Sequence, residues 1–79
     1  MTHYAKLKWY CRRGMRELDL LLEGFLENRY EALSATDRVS FERLLDCSNE
    51  DLMAWLIDGD SPRDEQLAGI VNWIRTRHL

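Results

Sequence analysis

Serine, two residues, aspartate, then an apolar run: this order occurs three times, as Ser34-Ala35-Thr36-Asp37 ahead of RVSFERLL, as Ser48-Asn49-Glu50-Asp51 ahead of LMAWLI and as Ser61-Pro62-Arg63-Asp64 ahead of the last apolar segment. A serine oxygen there accepts an orphan backbone N–H, and an acid in the first turn meets the positive end of the helix dipole. Proline at a first helical position lacks only an N–H that would have no partner. Three such starts within half a chain predict helices. The spacing agrees, since Leu67, Ile70, Val71 and Ile74 form one stripe at i, i+3, i+4 and i+7.

Working backwards, Met15, Leu18, Leu22 and Phe25 fall at i, i+3, i+7 and i+10, widened by Leu21 and Leu26, and predict a long helix from about Gly14 to Leu33. Leu7, Trp9 and Tyr10 fit a shorter one from Ala5 to about Arg12. Gly59 suits the left-handed residue that ends the fourth. No segment alternates like a strand, and one proline with four glycines supplies little for turn-rich β structure. The expected fold is all-α, one five-helix bundle over residues 1–79. In so small a core Trp9, Trp55 and Trp73 are expected at the core or its rim.

Charge is distributed unevenly. Residues 1–16 hold Lys6, Lys8, Arg12, Arg13 and Arg16 and no acid, while all fourteen acidic residues follow, and the net charge is −3. A basic arm on an acidic body suits an anionic partner. On a wheel of ~100° per residue, Arg13, Glu17, Leu20 and Gly24 fall together, roughly 110–180° from the apolar stripe. If the helix already includes Arg13, then Arg13 and Glu17 are i, i+4 neighbours, and Leu20 faces outward beside glycines that let another backbone come close. The plainer alternative makes Gly14 a joint between two helices and the arginines solvated.

Catalysis fits poorly. His3 and His78 sit at opposite ends, where chain termini are commonly poorly ordered, and no metal-ligand spacing is present. Cys11 and Cys47 form no C-x-x-C pair. Neighbouring arginines can activate a thiol, but a small buried hydrophobe is the ordinary role for Cys11. There is no G-x-G-x-x-G and no βαβ unit to cradle a dinucleotide. With Met1 as its start the chain has no secretory or organelle leader and is expected in the cytoplasm. No apolar run approaches the ~20 residues of a membrane span, so no direct membrane insertion is expected.

Arg13-Gly14-Met15-Arg16-Glu17 fits an R-G-x-x-E signature. Together with Trp9, the whole run from Cys11 to Asp19, Phe41-Glu42-Arg43-Leu44-Leu45 and the segment Asp51 to Leu56, it resembles the succinate dehydrogenase assembly factor 2 family. In bacteria this is the flavinylation factor of succinate dehydrogenase. The resemblance implies a five-helix chaperone that binds the flavoprotein subunit of succinate dehydrogenase, and in some bacteria of fumarate reductase, and promotes covalent FAD attachment. It implies that Arg13, Gly14 and Glu17 contact the partner, flanked by Arg12, Met15 and Arg16. No catalytic residue is expected, and FAD belongs to the partner rather than being held tightly here. The competing class is a small helical interaction module of antitoxin-like or nucleic-acid-binding type. The acidic body argues against nucleic acid, whose binding domains are usually basic.

Overall fold

The computed structural model describes residues 3–77, and at Arg77 the backbone alone. Five α-helices follow one another: α1 (His3–Tyr10), α2 (Arg16–Arg29), α3 (Ala35–Leu45), α4 (Asn49–Leu56) and α5 (Glu65–Arg77), with a 3₁₀ turn at Tyr30–Ala32 between α2 and α3. The described residues contain no strand, so the all-α bundle expected from the sequence is the fold.

Two of the serine starts form as read. Ser34 Oγ accepts the Asp37 N–H and Ser48 Oγ the Asp51 N–H, both at 3.1 Å. The third does not. Asp64, not Ser61, caps α5: its Oδ1 accepts the N–H groups of Gln66 at 2.9 Å and Leu67 at 3.1 Å. Arg43 of α3 holds the same carboxylate at 2.8 Å. A carboxylate anchored by an arginine fixes the helix start there, and Pro62 is buried ahead of it instead of opening the helix.

The long element is also shorter than its periodicity suggests. Gly14 lies outside it with φ +80°, a left-handed conformation that ends helical continuity, and Met15 is extended. Gly14 is therefore the joint between α1 and α2. At the other end the backbone of Arg29 leaves helical values and the chain tightens into the 3₁₀ turn. Gly59 is left-handed as expected, with φ +92°, but α4 already ends at Leu56, three residues before it. Near it the Asp60 N–H reaches back to the Ala54 carbonyl at 2.8 Å.

α5 packs against α2, α3 and α4, and α1 lies on α2 and α3. Leu18, Leu22, Phe25 and Leu26 of α2 meet Phe41 and Leu44 of α3, Leu52 of α4 and the α5 stripe in one buried cluster. The Phe25 ring lies 5.4 Å from that of Phe41 and takes Trp73 edge-on at 6.0 Å. Trp55 and Trp73 sit at the core rim, as expected. Trp9 does not: it is 64% exposed, because α1 turns Leu7 to the core and Trp9 falls nearly opposite on that helix. His3 begins α1, with Nε2 3.4 Å from Glu42. His78 lies outside the described residues.

Candidate functional site

The basic motif occupies the linker from Cys11 to Met15 and the first turn of α2. Its anchor is Cys11, fully buried, whose N–H still bonds back to Leu7 of α1 at 3.0 Å. Burial pushes its thiol up to about 12, with Glu23 adding to the rise and Arg13 opposing it. Desolvation outweighs the nearby cation, so Cys11 is an inert packing group.

Arg13 is the centre of the linker. Its guanidinium turns inward to the connection between α3 and α4 and donates from Nη1 to the Leu45 carbonyl at 2.8 Å, from Nη2 to the Cys47 carbonyl at 2.6 Å and from Nε to Asn49 Oδ1 at 2.8 Å. Nη1 also reaches the Tyr10 carbonyl at 3.1 Å. The rigid fork thus covers carbonyls left open at the C-terminal end of α3, where a cation also meets the negative end of the helix dipole. The backbone is tied as well. The Arg13 N–H donates to Asp19 Oδ1 at 2.7 Å, and Asn49 Nδ2 donates to the Arg13 carbonyl at 3.4 Å.

This geometry corrects the wheel. Arg13 stands before α2, so it does not pair with Glu17 at i, i+4. What the linker displays is the rest of the motif. Gly14 is exposed, and a Cβ built on it meets nothing within 4 Å. Arg16 and Glu17, the first residues of α2, are exposed and make no side-chain hydrogen bond or ion pair among the described residues. Arg12 is exposed and touches Glu23 at 3.4 Å. Met15 is half-buried against the core. Leu20 faces outward at 61% exposure, as expected, and with Gly24, Phe25, Arg29 and Ile74 borders a shallow groove of about 430 Å³.

Sequence reasoning missed Asp19 and Asn49 as partners of Arg13. Asp19 carried a signal, an acid in a first helical turn, although its carboxylate serves the linker instead of its own helix. Asn49 carried none, being 36 positions away from Arg13. No group of three or more His, Cys, Asp or Glu among the described residues is placed to hold a metal ion. No described helix is long and apolar enough to cross a membrane.

The profile of the family described as flavinator of succinate dehydrogenase matches residues 5–78. The chain belongs to that family. Among its curated relatives, the FAD assembly factor SdhE of Yersinia pseudotuberculosis is 42% identical over 74 residues, 94% of this chain and 84% of the relative. The protein of that name from a Serratia species is 44% identical over 73 residues, 92% and 83% of the two chains. That from Shewanella oneidensis is 42% identical over 77 residues, covering 98% and 94%. The match to the flavinator family takes in most of α1, the linker and every helix after it, so the displayed loop and the clamp beneath it both fall within the family's extent.

Proposed function

We propose that this chain is an assembly factor that docks on the flavoprotein subunit of succinate dehydrogenase and promotes covalent FAD attachment without catalysing it. In some bacteria the corresponding subunit of fumarate reductase is a second client. The observation that carries this reading is the exposed Gly14-Arg16-Glu17 surface, held in shape by the Arg13 clamp, in a chain of the flavinator family. Gly14 lets the client backbone approach, Arg16 and Glu17 offer exposed charges of both signs, and Arg12 and Met15 border them. Arg13 contributes chiefly by shaping the contact.

The client holds the flavin and supplies the histidine that becomes attached to it. Bond formation needs those two groups in a near-attack arrangement. A helper that binds the competent arrangement more tightly than others raises its population in proportion to that preference. The nucleic-acid alternative loses ground, because Arg13 is directed inward and only Arg12 and Arg16 of the motif's cations remain on the surface. The test is co-expression with the flavoprotein subunit, scoring flavin that survives denaturing electrophoresis. Gly14→Arg and Glu17→Ala are expected to lower attachment strongly. Full attachment with both variants would remove the basis of this reading.

A further inference from the structure

We propose that Asn49 is a positioning residue that sets the conformation of the Gly14–Glu17 surface through Arg13, so that the α3–α4 connection belongs to the docking apparatus; this rests on the docking reading above. Asn49 is the first residue of α4, and it grips Arg13 twice. Its Oδ1 accepts from Nε at 2.8 Å, and its Nδ2 donates to the Arg13 carbonyl at 3.4 Å. That carbonyl belongs to the peptide group leading into Gly14. The other contacts of the Arg13 guanidinium are to backbone carbonyls of Tyr10, Leu45 and Cys47, which side-chain substitution leaves in place. Among the described residues Asn49 is therefore the one side chain that touches both the guanidinium and the carbonyl of Arg13, while Asp19 Oδ1 accepts from the Arg13 N–H at 2.7 Å. Gly14 has open space around it and no side chain to restrain it. Its conformation depends on the neighbouring peptide groups being held.

Asn49→Ala removes both contacts and leaves the Ser48 cap of α4 intact. If the loop then occupies its binding shape about one fifth of the time, affinity for the client falls about fivefold. Asn49→Asp keeps the acceptor for Nε but loses the Nδ2 donor to the Arg13 carbonyl, so it is expected to restore only part of the affinity. Two measurements decide the matter: the amide shifts of Gly14 and Met15 in the isolated 15N-labelled chain, and calorimetric affinity for the purified flavoprotein subunit. Support is a shift change with weakened binding in Asn49→Ala, both partly reversed in Asn49→Asp. Weakened binding with unmoved loop amides makes Asn49 a direct contact and overturns the proposal, as does unchanged affinity. If the unaltered chain fails to bind the subunit, the docking reading falls and the affinity claim with it. The loop amides of the isolated chain still report whether Asn49 shapes the linker.

Discussion

Replacing Gly14 by L-alanine, by arginine and by D-alanine separates backbone strain from space at one position. The residue has φ +80°, where an L side chain is unfavourable by about 1–2 kcal/mol. A Cβ there meets nothing within 4 Å, so a methyl group adds no steric penalty, and the residue is exposed, which leaves a longer side chain free to extend into solvent. Gly14→Ala and Gly14→Arg are thus expected to lose the same stability in the isolated chain. For a domain of 79 residues each kcal/mol lowers Tm by about 4–8 °C. D-alanine favours positive φ, and by restricting the unfolded chain it is expected to stabilise by about 0.4–1 kcal/mol. At this length the D-residue is accessible by chemical synthesis, and urea and thermal unfolding read all three. Client attachment ranks them differently: D-alanine keeps the loop shape and adds one methyl group, whereas arginine places a long charged chain on the docking face. Two results would refute the reasoning. An unchanged Tm for Gly14→Ala means the backbone is not left-handed there, and a much larger loss for Gly14→Arg than for Gly14→Ala means the space is not open.

Three further outcomes are expected. Arg13→Lys cannot reproduce the fork onto Leu45, Cys47 and Asn49 and should cost about 1.5–3 kcal/mol in urea unfolding, close to the cost of Arg13→Ala. The Arg43 hydrogen bond, with the N–H groups that Asp64 caps, holds the Asp64 carboxyl below its ordinary 3.8. Its stabilising contribution is complete above that value and is lost as pH falls through the lower folded-state pKa, so acid unfolding of Asp64→Asn should show a shallower pH dependence. Burial keeps the Cys11 thiol protonated up to about 12, so iodoacetamide at pH 8 should leave Cys11 unmodified in the folded chain and alkylate it in urea.

Much of the fold was legible in the order of residues. The Ser34 and Ser48 caps, the apolar stripes of α2 and α5 and the left-handed Gly59 are local matters. Each depends on groups a few positions apart, so short-range spacing reveals them. The α5 start was misread because Ser61-Pro62 and Asp64 are both good openings, and the choice belongs to Arg43, 21 positions earlier. Trp9 was misplaced because a short helix with one buried residue gives periodicity too little to act on. At the site the outward face of Leu20 was legible from helical spacing, and both roles for Gly14 stayed open because one glycine before a helix suits either.

Sequence alone, then, determines that this chain is a helical bundle with its positive charge gathered at one end, because helix caps, apolar period and charge are properties of neighbouring residues. Tertiary structure decides which of those charges are available. Arg12, Arg13 and Arg16 are alike in the sequence, yet the fold directs the middle one into the α3–α4 connection and leaves Arg16 beside Glu17 in solvent. The reason is that open carbonyls at the end of α3 are brought beside the linker only when the helices pack. A guanidinium within reach is more stable covering them than hydrated among its like-charged neighbours.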